Sequence, residues 1–156
     1  MSQGIASNAD AELILKLYEL RTETVMRQAR AWIMGEFWPS TAAEFFVVQN
    51  DFGSEKNAWL RQVVTYWEMA ASLVLHGALS ADLFVDCNPE PFYILAKLAR
   101  ILPDIHAKAP TYFSKTLQLI DNSPAAAGRY EAMKKNVEAR RLAQSADWLH
   151  QPKVSG

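Results

Sequence analysis

The chain has 156 residues, a formal net charge of −1 and an apolar fraction of one half, with a single cysteine, Cys87. This composition is that of one globular domain and excludes a disordered chain, and the near-neutral charge provides no global field toward nucleic acid or an anionic membrane. One cysteine excludes an intramolecular disulfide, and no stretch approaches the roughly 20 apolar residues of a membrane span. Because the N-terminus also lacks a secretory pattern, we expect a cytoplasmic protein without a membrane partner.

The first predicted helix begins near Asn8 or Asp10 and continues for about seven turns to Ile33. Its apolar residues recur every three or four positions, so they form one stripe on a single helix. Gly35 and Pro39 are expected to end it.

A short second helix is predicted from Thr41, because Thr41 and Glu44 have the spacing of a capping box. The run Phe-Phe-Val-Val at 45–48 would also suit a strand by propensity. The helical start and the helical neighbours favour a helix.

The most informative segment extends from Glu55 to Phe84 and is apolar around most of its circumference. Ser54 is predicted to cap this helix, Gly77 to stop it and Ser80 to restart it. A helix of this kind must be enclosed by other helices. We therefore predict that it is the spine of the fold.

Further helices are expected at residues that suit a cap or a first turn: Ser80, Asn88 followed by Pro89, Thr111, and Ser123 followed by Pro124. Pro103 and Pro110 are expected to break the chain on either side of residues 104–106. The sequence thus predicts an all-α fold, a single-domain compact bundle of five to seven helices with short loops. The domain spans 1–156, with a core at about 9–148 and frayed termini.

One narrow polar strip follows the spine helix within an arc of about 80° at 100° per residue: Arg61, Thr65, Glu68, Ser72 and His76. It is interpreted either as a polar seam inside the bundle, with Glu68 as acid, base or ligand, or as the solvent-facing edge of the helix with Glu68 satisfied by an arginine. Glu68 and His76 are about 12 Å apart along the axis, too far to share a metal ion.

Signatures of catalysis and cofactor binding are missing from the sequence. There is no Gly-rich phosphate loop, no Glu-x-x-His pair and no cluster of Cys and His, so we expect no cofactor, no metal site and no catalytic residues. Cys87 is interpreted as a small core residue. The last helix carries a local excess of positive charge, which we interpret as a solvated face and not as a nucleic-acid site.

The spine helix also has a second apolar face, made of Trp59, Tyr66, Met69 and Leu73. A domain of this size is not expected to cover both faces. The uncovered face would then be an oligomer interface or a groove for a small apolar ligand.

The segment VTYWEMA at 64–70, followed by Val74, Gly77, Leu79, Leu83 and Phe84, resembles the central pattern of a bacterial family of small helical domains of unknown function. The pattern is an aromatic-Glu-x-apolar-Ala helix, then a Gly-apolar turn and a second short helix. The resemblance covers about thirty residues well and extends more loosely to Ile105. It implies an all-helical fold and implies no activity.

From these observations we predict a non-enzymatic interaction or regulatory module that forms homo-oligomers or binds an unidentified protein partner. The alternative is a small-molecule-binding protein or an unrecognised enzyme with a pocket around Glu68. Arg61, His76 and Trp67 would then supply the rest of the lining.

Overall fold

The computed structural model describes residues 4–149, with side chains through residue 146, and that part of the chain contains helices and no strand. The all-α prediction is confirmed, but the described residues form nine helices where five to seven were expected. In chain order they are α1 (Asn8–Arg21), α2 (Thr24–Gly35), α3 (Ala42–Gln49), α4 (Glu55–Leu75), α5 (Ala81–Cys87), α6 (Glu90–Leu98), α7 (Leu102–Lys108), α8 (Ser114–Asn122) and α9 (Pro124–Leu149). The predicted frayed termini fall largely outside the described residues.

The single long helix predicted over residues 8–33 is wrong, because α1 ends at Arg21 and α2 begins at Thr24. The Thr22 hydroxyl donates to the Glu19 carbonyl oxygen at 2.7 Å, and the Glu23 carboxylate accepts from the Met26 amide at 2.9 Å. These local bonds end one helix and cap the next. The apolar stripe is continuous across the break, so periodicity alone did not reveal it.

Two helices that follow α4 do not begin as predicted. Asn88 does not cap α6; its Nδ2 donates to the Phe84 carbonyl oxygen at 3.0 Å and so closes α5, while α6 begins after Pro89 with no side-chain cap. Pro103 does not break the chain but lies in the first turn of α7, where a missing amide hydrogen costs no helical bond.

The start of α8 also lies later than predicted. Thr111 does not open the helix, because Phe113 adopts the left-handed conformation, with φ 57°, and α8 begins at Ser114. Cys87, interpreted above as a core residue, is exposed at the end of α5.

Local capping signals account for the helices that were placed correctly. The Thr41 hydroxyl accepts from the Glu44 amide at 3.2 Å, and the Glu44 carboxylate accepts in return from the Ser40 amide at 2.7 Å. The Ser54 hydroxyl caps α4 through the Asn57 amide. Caps of this kind can be predicted from the sequence, because the capping side chain and the amide that it binds are only three residues apart.

Helix α4 lies at the centre of the bundle, as predicted, and packs against α2, α3, α5 and α8. Helix α9 packs across α5, α6 and α8, and α1 packs on α2 and α5. The core is one hydrophobic cluster. Its largest fully buried apolar side chains include Trp67, Phe45, Phe84, Phe92, Phe113 and Leu60.

Candidate functional site

Glu68 faces α8, and its carboxylate binds the first turn of that helix. The Lys115 amide donates to Oε2 at 2.8 Å, and both the amide and the hydroxyl of Thr116 donate to Oε1, at 2.9 and 2.6 Å. The residue that precedes α8, Phe113, provides no side-chain cap. Glu68 therefore caps α8 from a different helix, and its negative charge lies where the helix dipole favours it.

A cavity of about 280 Å³, here called the α4 cavity, lies beside this cap, between the end of α3, α4 and the start of α8. Its polar lining consists of Gln49, Arg61, Thr65, Glu68, Thr111 and Tyr112. The cavity is slightly smaller than the roughly 300–1,000 Å³ of pockets for drug-sized ligands. It has room for a small metabolite.

Two polar atoms of this lining are buried without a hydrogen-bond partner within the described residues: the Tyr112 hydroxyl and Gln49 Oε1. Burial raises the pKa of Tyr112, and the negative charge of Glu68 raises it further, so the hydroxyl keeps its proton at neutral pH. The two atoms, one a donor and the other an acceptor, belong to residues that line the same cavity. Unpaired buried polar groups are rare in folded proteins and call for a partner.

Arg61 supplies positive charge to the α4 cavity. Its Nε donates to Asn57 Oδ1 at 2.9 Å, and the buried Asn57 amide group donates to the carbonyl oxygens of Val48 and Gln49, at 3.0 and 2.7 Å. Asn57 thus joins the end of α3 to α4 and fixes the position of Arg61 Nε. Within the described part of the chain, no carboxylate forms an ion pair with the Arg61 guanidinium.

Trp67 is fully buried and belongs to a different network from Arg61 and Glu68. Its Nε1 donates to Glu90 Oε1 at 3.1 Å, and Glu90 also pairs with Arg30, with Nη2 and Oε2 2.6 Å apart. The Arg21 guanidinium lies over the Trp67 ring, 5.5 Å from its centroid. This network joins α2, α4 and α6 in the core.

His76 is exposed at the C-terminal cap of α4, with Nδ1 2.9 Å from the Ser72 carbonyl oxygen. The structure does not bring it to Glu68. Of the four residues predicted to line a pocket, Arg61 and Glu68 share the α4 cavity, whereas Trp67 and His76 lie elsewhere.

The second apolar face of α4 is largely packed within the chain. Trp59 contacts Trp32, with ring centroids 6.0 Å apart, and the Tyr66 hydroxyl donates to the Leu17 carbonyl oxygen. Burial raises the pKa of Tyr66 to about 12, so this donor is retained over the physiological range. Leu73 is partly buried against the core, and Met69 is 47% exposed.

The sequence did not single out Lys97, which is 1% exposed and lies within the apolar stripe of α6. Its amine donates to the Ile33 carbonyl oxygen and lies 4.5 Å from the Trp38 ring centroid. The guanidinium groups of Arg140 and Arg141, from α9, each lie 5.3 Å from the same centroid. We call Lys97, Arg140 and Arg141 the cation cluster. The sequence contained one sign of a special role for Lys97, which is a charged residue among the apolar residues of α6.

Two findings on the described residues concern groups of possible metal ligands and helices of membrane-spanning length. They contain no group of three or more His, Cys, Asp or Glu side chains placed to hold a metal ion. None of their helices combines the length and the apolar character needed to cross a membrane.

The fold and the α4 cavity define a compact all-helical domain with a small polar cavity beside its central helix. The chain belongs to the family described as "Domain of unknown function (DUF4760)", whose model matches residues 6–123. The resemblance of the sequence to a family of helical domains of unknown function is thereby confirmed. A comparison with curated proteins and a comparison with solved structures each found no match.

Proposed function

We propose that this domain is a non-enzymatic binding module that holds a small polar ligand in the α4 cavity. The observation that carries the proposal is that two residues of the cavity lining, Tyr112 and Gln49, each have a buried side-chain oxygen without a partner among the described residues. After a small shift of the two side chains, a bound molecule that accepts from Tyr112 and donates to Gln49 would satisfy both atoms. Such contacts would remove a cost of about 1–3 kcal/mol for each unpaired group.

The charges around the cavity indicate what such a ligand would carry. Glu68 already accepts three hydrogen bonds from α8, so it has little capacity for a cationic ligand. Arg61 has no carboxylate partner in the described residues. We therefore expect a small organic acid, with its carboxylate near Arg61 and a hydrogen-bond donor near Gln49.

The test is a thermal-shift screen of small carboxylic acids, preceded by native mass spectrometry of the purified protein. A reproducible added mass, or an acid that raises Tm, is the expected result. Tyr112→Phe should weaken that binding while leaving the unliganded protein as stable as before or more so, because the change removes an unpaired buried hydroxyl. Arg61→Gln should also weaken binding, and Arg27→Gln, an exposed arginine on α2, is the matched control.

The proposal fails if no acid shifts Tm and no mass is bound. It also fails if Tyr112→Phe destabilises the free protein and leaves ligand affinity unchanged, because the hydroxyl would then be structural.

A second candidate function is self-association, supported by the apolar surface that α1 leaves exposed. Leu15 is 68% exposed and Tyr18 61%, and Leu17 is the one buried residue of α1. Met69 lies one turn along α4 from Tyr66, whose hydroxyl contacts α1. An exposed apolar patch that spans two helices is typical of an interface between copies.

Sedimentation velocity at micromolar concentration tests this candidate. The wild-type protein should sediment as an oligomer and Leu15→Glu as a monomer. Val47→Glu, a change at an exposed apolar residue of α3, should leave the oligomer intact. A monomeric wild-type protein would exclude self-association through this surface.

A further inference from the structure

The cation cluster brings one amine and two guanidinium groups to the Trp38 ring, without a paired carboxylate among the described residues. Within the described residues, the ion pairs do not include Lys97, Arg140 or Arg141. Their hydrogen bonds go to neutral atoms. Arg140 Nη1 donates to the Tyr93 hydroxyl and Arg141 Nη2 to the Lys97 carbonyl oxygen, both at 2.9 Å. Neither arginine of the cluster therefore has a carboxylate partner in the part of the chain that the structure describes.

A cleft of about 490 Å³ borders the cluster, between the end of α6 and the C-terminal half of α9. We call it the α9 cleft; it is lined by Arg100, Arg141, Gln144 and Ser145. All four side chains can donate hydrogen bonds, and none of these lining residues, which belong to the described part of the chain, is a carboxylate. Glu138 engages Arg100 at one guanidinium nitrogen, Nη2.

Arg141 is held in place and still has unused donor capacity. Its guanidinium lies against Trp38 and donates from Nη2 to the end of α6, which fixes its plane. Its Nε has no partner among the described residues but is buried, which leaves Nη1 as the donor that can reach the cleft. An arginine that is oriented by packing loses little entropy when it binds an anion.

We propose that the α9 cleft binds a phosphomonoester, with Arg100 and Arg141 as the charged ligands of the phosphoryl group. Two guanidinium groups, an amide and a hydroxyl provide more donors than the two oxygens of a carboxylate use. The three terminal oxygens and the charge of about −2 of a phosphoryl group match them better. The volume of the cleft leaves space for the organic group of the ester beside the phosphate. This site is separate from the α4 cavity and does not depend on the proposed function.

Binding at this site should change the protonation of Lys97, which can be measured. Burial lowers the pKa of Lys97 to about 7, and the positive charges of Arg140 and Arg141 contribute to the shift. The groups that surround the amine are the Ile33 carbonyl oxygen on α2, Trp38, Tyr93 on α6, and the two arginines on α9. A dianion in the cleft opposes the repulsion from the arginines and raises the pKa of Lys97, so binding near neutral pH takes up protons.

The experiment is isothermal titration calorimetry of the full chain with glycerol 2-phosphate and, separately, with inorganic phosphate. Sodium chloride keeps the ionic strength constant. Repetition in two buffers of different ionisation enthalpy measures the protons that are taken up. We expect saturable binding of glycerol 2-phosphate with proton uptake near pH 7. Inorganic phosphate should bind more weakly, because it lacks the organic group.

Arg100→Gln is the main variant, because Arg100 is exposed and its loss should not affect folding. It should lower the affinity about tenfold or more, as expected when a charge-assisted hydrogen bond to phosphate is lost. Arg141→Gln should lower it at least as much. Lys135→Gln, an exposed lysine on α9 outside the cleft, is the control for charge and should bind like the wild type.

Three results would overturn the proposal. The first is the absence of saturable binding of glycerol 2-phosphate by the wild-type protein. The second is an equal loss in Lys135→Gln and Arg100→Gln, which would indicate diffuse attraction to a positive face. The third is tighter binding of inorganic phosphate than of the ester, which would exclude the phosphomonoester as the ligand class.

Discussion

Arg30 on α2 and Glu90 on α6 form an ion pair across 60 residues of sequence, in which Arg30 Nε lies 3.0 Å from both carboxylate oxygens and Nη2 lies 2.6 Å from Oε2. The glutamate side chain is 8% exposed and the arginine side chain 26%. Hydrogen bonding to Glu90 raises the pKa of Arg30. Because Trp67 on α4 donates to the same carboxylate, one group joins three helices.

Loss of the Glu90 charge should destabilise the protein strongly. In Glu90→Gln the mostly buried Arg30 loses its counter-charge, and we expect a loss of about 2 kcal/mol in the free energy of unfolding. This value is below the range for a fully buried pair because Arg30 is partly solvated. Chemical denaturation measures it, with Glu12→Gln, an exposed glutamate on α1, as the control. Equal stability of the two variants would show that the pair contributes nothing.

Removal of the Glu68 carboxylate should loosen α8 before the rest of the protein. Glu68→Ala leaves the amides of Lys115 and Thr116 without their acceptor, which should cost about 1–2 kcal/mol. Hydrogen exchange should accelerate at those two amides more than in the middle of α4. Uniform acceleration over the whole chain, or none, would contradict the assignment of Glu68 as the cap of α8.

Two glycines should respond in opposite directions to alanine. Gly77 has φ +76° at the end of α4, a conformation that strains an L residue, so Gly77→Ala should destabilise by about 1 kcal/mol. Gly128 lies inside α9, where a Cβ would meet open space, so Gly128→Ala should stabilise by about 0.5–1 kcal/mol. Thermal unfolding of the pair measures both, and a shift of the same sign in both would contradict the argument.

The stability of the protein should depend on pH through Lys97. Its pKa is lowered to about 7 in the folded state by burial and by Arg140 and Arg141, from an ordinary value of 10.5. Between these values the unfolded chain holds a proton that the folded chain has released. The free energy of unfolding therefore rises with pH, by up to about 1.4 kcal/mol per pH unit.

Lys97→Met should flatten this rise between about pH 7 and pH 9. The slope is the informative quantity, because the substitution also removes the donor to the Ile33 carbonyl oxygen and so changes stability at every pH. Lys135→Met is the matched control at an exposed position. An unchanged slope in Lys97→Met would show that the Lys97 amine titrates near its ordinary value.

The parts of the fold that could be predicted are those encoded by neighbouring residues. The caps at Thr41 and Ser54 act over three residues, and the apolar circumference of α4 correctly indicates its central place. The break at Thr22 was missed because the apolar periodicity runs across it. The cytoplasmic location and the bacterial origin stay predictions.

The candidate site could be predicted in part for the same reason. Arg61 and Glu68 belong to one face of one helix, and the sequence placed them together. Gln49 and Tyr112 come from α3 and from the segment before α8, and only the packing of those helices on α4 brings their polar ends to one cavity. Contacts over 40 residues or more, such as that between Lys115 and Glu68, leave no local pattern.

The boundary of the family match separates α9 from the eight helices that precede it. The match ends at Ser123, whose hydroxyl caps α9 through the Ala126 amide, so all of α9, which begins at Pro124, lies beyond the shared segment. Lys97 and Trp38 belong to the shared segment, whereas Arg140 and Arg141 do not. A chain that ended at Ser123 would therefore keep Lys97 and Trp38 and lose both arginines of the cation cluster.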